Sequence, residues 1–301
     1  MPAALLPAGH EKDLGGGFVV RRLLPAARCR SVGPFVFFDH FGPVNEVPGA
    51  NHDVRPHPHI GLATVTYLFE GAMMHRDSLG TEQLIEPGAI NWMTAGRGIV
   101  HSERRPPHLR EVAFTNHGLQ LWVALPQALQ EAPPAFAHTP AKDIPEVSLG
   151  EGAQAARVRL LVGEAFGARS PVVPASPTTY LDVALPAGCA WRLPALAPEL
   201  AVYPVRGEVR VDGDLLPAGC MAVLGAGEGA LLEALTPVRL VVVGGAPLDA
   251  PRHMWWNFVH SDPGRIRQAA HDWEAGRFAP VPGETESIPL PERRFVMPTP
   301  L

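Results

Sequence analysis

The chain has 301 residues, of which 46 % are hydrophobic and only 18 % charged, with a formal net charge of −5 at neutral pH. That is apolar material for two domains of ordinary size, and the negative balance, with no Lys/Arg stripe, excludes direct nucleic-acid binding as an expected activity. No apolar run approaches the ~20 residues of a membrane span, no secretory signal layout opens the chain, and three scattered cysteines (Cys29, Cys189, Cys220) suit a reducing compartment. The expectation is a cytoplasmic protein without membrane contact.

Glycine (30) and proline (34) are abundant, which favours many short strands over long amphipathic helices. Residues 1–15 read as peripheral, closed by Gly15-Gly16-Gly17. A strand is expected at Phe18–Leu24 and another at Phe35–Phe38, the latter ending in the turn signature Asp39-His40-Phe41-Gly42-Pro43. After a polar loop at Asn45–Val54 comes Arg55-Pro56-His57-Pro58-His59, then a β-branched and aromatic strand, Ala63–Glu70. Strands at Met73–Arg76, Glu82–Glu86, Ala89–Thr94, Ile99–Arg104 and Gly118–Leu125 follow, punctuated by Gly71, Asp77–Gly80, Pro87-Gly88 and Ala95-Gly96. Such short, regular spacing indicates a sandwich or barrel.

Pro126–Gly152 lacks periodicity and reads as a connection. A second β-series then occupies Ala156–Gly163, Thr179–Leu185, Leu200–Val205, Glu208–Val211, Met221–Leu224, Ala230–Ala234 and Val238–Gly244. The same architecture is therefore expected twice, as domains 1–130 and 153–301 joined through 131–152. Asp262 and Pro263 open a short helix, with Ile266, Ala269, Ala270 and Trp273 at helical spacing and Gly276 closing it. The Pro-rich tail 277–301 reads as extended over the surface.

The chemistry is confined to the first half. Eight of the 13 histidines fall between residues 40 and 117, whereas none lies between His138 and His253. Two pairs stand out, His57/His59 and His101/Glu103, separated by 41 intervening residues. Residues i and i+2 of a strand share one face, so two facing strands would aim three imidazoles and one carboxylate at a single cation. The expected metal ligands are His57, His59, His101 and Glu103. Without thiolates a closed structural zinc site is disfavoured. Mixed N/O ligation with open positions suits Fe(II), Mn(II), Ni(II), Co(II) or Cu(II), and zinc in an open site stays among the alternatives. Asp39 and Asp77 are candidates to orient the histidines from behind. His40 and His75 could stand behind the ligands but read first as turn or edge residues, Glu70 and Glu82 as solvated strand ends, and Arg104-Arg105 and Arg293-Arg294 as solvated surface. Trp255-Trp256 reads as core packing, and the cysteines as small buried hydrophobes.

Phe37-Phe38-Asp39-His40-Phe41-Gly42-Pro43, the run from Arg55 to Gly71 (RPHPHIGLATVTYLFEG), His75–Gly80 (HRDSLG) and Ala95–Glu103 (AGRGIVHSE) together resemble the pirin family of the cupin superfamily. Met254–Phe258 (MWWNF) and Asp272–Phe278 (DWEAGRF) are similar to pirin as well. The resemblance implies an all-β bicupin fold: two antiparallel β-barrel (jelly-roll) domains, metal in the N-terminal one only, and a short C-terminal helix. His57, His59, His101 and Glu103 match the family's iron ligands one for one, so Fe(II) is the implied cofactor. Where some pirins carry Arg-Gly-Phe-Glu after the second histidine, this chain has Ile60-Gly61-Leu62-Ala63.

Two functions of different class follow from the resemblance. One is a quercetin 2,3-dioxygenase-like enzyme that opens a flavonol ring with dioxygen, with Glu103 as the candidate general base. The other is an iron-dependent, redox-sensitive regulator acting through a protein partner.

Overall fold

Short runs of β-branched residues, cut by glycine and proline, fold here as antiparallel strands joined by tight turns. The computed structural model describes residues 2–13, 19–292 and 300–301, so Gly15-Gly16-Gly17 and Arg293-Arg294 lie outside the described residues. Two compact units result. One comprises Glu11–Val20, Phe38–Ala141 and Leu248–Leu301; the other comprises Met1–His10, Arg21–Phe37 and Lys142–Pro247. The segment from Leu248 onward, helix included, thus packs in the unit of the histidines rather than with the second β-series.

The histidine-bearing strands form a four-stranded sheet in the order Val54–His59, Ile99–Arg104, Met73–Asp77, Glu82–Ile85. A seven-stranded sheet runs Ala135–Thr139, Ile90–Thr94, Leu62–Glu70, Phe114–Ala124, Phe35–Glu46, Val19–Leu24, His10–Asp13. Phe41 and Leu68 of the larger sheet meet Met73 and Ile85 of the smaller one in a shared core. The other unit repeats the plan, with Ala4–Leu6, Met221–Val223, Glu199–Arg206, Val238–Gly245, Thr178–Leu185, Ala156–Val162 and Glu146–Leu149 in its large sheet. Its small sheet orders Ala190–Leu193, Ala230–Ala234, Val209–Val211 and Asp214–Leu216. Val158, Leu181, Val202 and Leu240 pack against Trp191, Val209 and Leu232 between the two sheets, leaving this unit an apolar interior.

Several elements differ from the sequence reading. Phe35–Glu46 is one strand of 12 residues that continues through the expected turn at Asp39–Pro43. Gly42 (φ +77°) lets it pass, because a Cβ there would stand 2.2 Å from the Asn116 carbonyl oxygen, so a residue that serves close approach looks like punctuation in the sequence. The expected connection contains two edge strands, Ala135–Thr139 and Glu146–Leu149, too short and too alanine- and charge-rich to show a period. Ala4–Leu6, expected to be peripheral, pairs with Met221–Val223. The helix spans Pro263–Glu274, with the Asp262 side chain accepting from the Gly264 N–H and Ile266, Ala269 and Ala270 buried. All three cysteines are free, and Cys189 is buried. No described helix is long and apolar enough to cross a membrane.

Pro56 and Pro58 cannot donate to a ladder, and the strand that contains them is accordingly an edge strand. Its open side is covered by the returning chain: the Ile288 N–H donates to the Pro56 carbonyl (2.9 Å) and the Val259 N–H to the Ile60 carbonyl (3.2 Å). Gly61 (φ +69°) makes that closeness feasible, since a Cβ would stand 1.9 Å from the Val259 oxygen.

Candidate metal centre

The two ligand strands lie side by side, with His101 directly opposite His57 and Ile99 opposite His59. Both i, i+2 histidines therefore project on the same face as His101. All three are buried, with ligand nitrogens within 4.8 Å of one another. The Nε2 atoms of His59 and His101 are 3.1 Å apart. The indole of Trp122 meets the His59 ring edge to face at 5.1 Å and closes the apolar side.

Each ring's other nitrogen is engaged on the outward side. His57 Nδ1 donates to the Arg55 carbonyl (2.9 Å) and His59 Nδ1 to the Asn257 carbonyl (3.0 Å). His101 Nδ1 faces His75 Nδ1 at 3.4 Å, and His75 Nε2 donates to Asp77 Oδ2 at 3.0 Å. Asp77 is fully buried, and its Oδ1 accepts the Leu79 and Thr81 N–H groups at 2.9 and 3.1 Å. These acceptors fix the tautomers. With Asp77 ionised, His75 carries its proton on Nε2, so its Nδ1 accepts from His101. The three metal-facing Nε2 atoms are thus all bare lone pairs. Two bare nitrogens at 3.1 Å repel unless a cation lies between them. Donors about 2.1–2.2 Å from one ion and at right angles stand about 3 Å apart, so the residues present fit a divalent transition metal.

His75 is accordingly no edge residue. It is buried, stacked on Phe136 (4.5 Å, 21°), and orients a ligand. Asp77, a candidate for that role in the sequence, supports His101 through it. Asp39 is buried as well. His40 is buried too, with its Nε2 2.7 Å from that of His117, away from the three-histidine group.

Glu103 stands outside the compact histidine group. The ladder slips between His101 and Glu103, so that Glu103 pairs with Val54 on one side and His75 on the other. Two residues, Arg55 and Pro56, oppose Ser102 alone, a β-bulge where proline is tolerated. Some of Glu103's surface is accessible, yet its carboxyl lies deep enough that burial pushes its pKa up to about 7. Its chain neighbours are held firmly. Glu284 accepts from Ser102 Oγ (2.8 Å) and from Arg104 Nε and Nη2 (3.1 and 2.5 Å). Arg104 also reaches Asp53 and Glu286, while Arg105 donates to the Val47, Leu109 and Val112 carbonyls. Neither arginine is the free surface cation that the sequence suggests. A groove of about 910 Å³, lined by Trp255, Trp273, Phe278 and Glu284, opens where Pro56 and Val100 point, and none of the three imidazoles lines it.

Burial dominates the electrostatics. The His57 imidazole is pushed from its ordinary 6.5 down to about 4, chiefly by desolvation, and His59 and His101 are also held well below the ordinary value. The histidines are neutral, ligating bases at physiological pH. In the metal-free protein, the unfolded chain takes up protons between pH 6.5 and 4 that folded His57 refuses, so stability is full above 6.5 and falls toward 4. Glu103 has the opposite sign: its contribution is present below 4.5 and is lost as pH rises through 7. Thermal melts of demetallated protein are therefore expected to show a melting temperature that declines on acidification from pH 6.5 to 4. The decline should be shallower in His57→Gln; an equal slope in that variant would assign the loss to other groups.

Comparison with known proteins places this arrangement. The Pirin family model matches residues 17–123, and the Pirin C-terminal cupin domain matches residues 180–279. A pirin-like protein of Caulobacter vibrioides is 48% identical over 288 residues, covering 94% of this chain and 97% of its own. The crystal structure of a quercetin 2,3-dioxygenase from Acinetobacter baumannii superposes with a TM-score of 0.84 at 36% identity, over 95% of both chains. A bacterial pirin from Escherichia coli, crystallised with nickel(II), shares the fold at 16% identity (TM-score 0.63), over 81% of this chain and 99% of its own. The fold expected from the sequence, an all-β bicupin, is the one observed.

Proposed function

This chain belongs to the pirin family, and from that premise we propose that it is a metal-dependent dioxygenase of the quercetin 2,3-dioxygenase type, opening a flavonol ring with dioxygen. One observation carries this reading: three neutral imidazoles converge through unprotonated Nε2 atoms, each with its Nδ1 side engaged outward. Protein ligands that fill only part of a coordination shell leave positions for exogenous oxygen donors. The similarity to the Acinetobacter enzyme supports the substrate class.

His57, His59 and His101 would hold the ion, with Glu103 as a fourth ligand across the bulge. Iron(II) is the metal we propose, the mixed N/O donor set being equally open to manganese, nickel, cobalt, copper or zinc. When bound, such an ion supplies charge stabilisation and orientation for the flavonol's hydroxyl and keto oxygens and for dioxygen. The remaining work falls to the chain. Glu103 is the candidate base for the flavonol hydroxyl. Trp122 and Phe136 keep the ligand cluster dry, which strengthens each electrostatic contact made inside it.

The test is dioxygen uptake by iron-loaded and demetallated protein, each with and without quercetin. Uptake is expected only when iron and flavonol are both present. No uptake in protein shown to hold one iron per chain would overturn the oxygenase reading and favour a metal-dependent regulator acting on a protein partner.

A further inference from the structure

The unit without histidines carries its own charged feature, on the outer face of its seven-stranded sheet. Val158, Leu160, Leu181, Val183, Leu240 and Val242 fill the interior, so their strand neighbours Arg157, Arg159, Asp182, Ala184 and Arg239 point outward. The register aligns them. Arg157 lies opposite Ala184, Ala184 opposite Arg239, and Arg239 opposite Arg206 beyond a bulge. One row across four adjacent strands thus reads Arg-Ala-Arg-Arg, and it borders an open cavity of about 230 Å³.

Four arginines face two carboxylates around this cavity, in a chain whose net charge is −5. Like charges directly opposite one another destabilise an antiparallel pair, and Arg239 and Arg206 are such a pair. The alanine between Arg157 and Arg239 leaves a gap where any larger side chain would sit. The two acids do not fill it. Asp182, only 4 % exposed, is engaged by Arg239 Nε and Nη2 at 3.0 and 2.7 Å, which fixes that guanidinium in place. Glu146 stands 3.8 Å from Arg159. Arg157 and Arg206 are exposed and, among the described residues, form no ion pair.

We propose that this row binds the phosphate group of a small phosphate-bearing molecule, seated over Ala184 between Arg157 and Arg206. Several guanidinium forks bordering one cavity suit a tetrahedral dianion, which accepts several charge-assisted bonds at once. The cavity admits a phosphate ester of a few carbons, and a single short row of cations is no track for a nucleic-acid backbone. The inference is independent of the chemistry at the histidines.

The test is thermal melting of the metal-loaded full chain with glycerol phosphate, against potassium chloride at matched ionic strength. At about ten times its dissociation constant the ester is expected to raise the melting temperature by about 3 °C, with no shift in Arg157→Ala/Arg206→Ala. Both replaced side chains are exposed, so the variant folds, and relief of the Arg206–Arg239 opposition should leave its own melting temperature equal or higher. No shift beyond the matched salt in the wild-type chain, or an equal shift in the double variant, would overturn the proposal. A larger shift with succinate than with the ester would also overturn it, since it would assign the row to dicarboxylates.

Discussion

Replacing His101 with alanine is expected to abolish stoichiometric metal binding and, with it, any metal-dependent dioxygen uptake. His101 occupies the centre of the cluster: its ring lies 4.3 Å from that of His57 and 5.0 Å from that of His59, and its Nε2 faces His59 Nε2 at 3.1 Å. The loss should exceed the roughly 10–100-fold in affinity that follows removal of an orienting partner, because a ligand itself is gone. Stability should move the other way at the site. Without His101, the lone-pair opposition with His59 disappears, which offsets part of the cavity cost of a large-to-small change. The measurement is metal content per chain after dialysis, alongside the melting temperature of demetallated protein. Retention of one metal per chain by a folded His101→Ala protein would remove the three-histidine centre from consideration.

The ligand histidines could be read from the sequence because their geometry is local. Two residues apart on a strand means one face, and nothing outside the strand alters that. Glu103 obeys the same spacing and yet stands outside the histidine group, where Arg55 and Pro56 bulge opposite Ser102 and the register against that strand slips; Pro56 hints at an irregular ladder but not at where the slip falls. The role of His75 lies outside that local logic. Its partners are Asp77, two residues away, and His101, twenty-six residues away on the neighbouring strand. Only the strand pairing, which no local pattern specifies, turns an edge-like histidine into an orienting one. The same holds for Asn257, whose carbonyl reaches His59 from 198 residues downstream. Strand content was legible wherever apolar residues alternated or clustered, as in Leu62–Glu70 and Val238–Gly245. It failed at edge strands such as Ala135–Thr139, which bury too little to need a pattern.

The chain of polarity behind His101 makes a second large effect predictable from a change that deletes no atom of the ligand shell. In Asp77→Asn, the amide oxygen can keep the Leu79 and Thr81 N–H groups now held by Asp77 Oδ1. The amide nitrogen then faces His75 Nε2 where a carboxylate oxygen stood. Two donors cannot share that contact, so His75 moves its proton to Nδ1. That nitrogen in turn confronts His101 Nδ1, and the same conflict drives the His101 proton to Nε2, where the lone pair for the metal had been. Metal affinity is therefore expected to fall by about 10–100-fold while the fold is retained. A merely structural role for Asp77 predicts the reverse, a lower melting temperature in demetallated protein with unchanged affinity in whatever remains folded. Removing His75 as well separates the two accounts. In His75→Ala/Asp77→Asn no ring is left to pass the proton conflict on, so His101 regains its Nε2 lone pair and part of the lost affinity should return, a rescue that no packing defect would show.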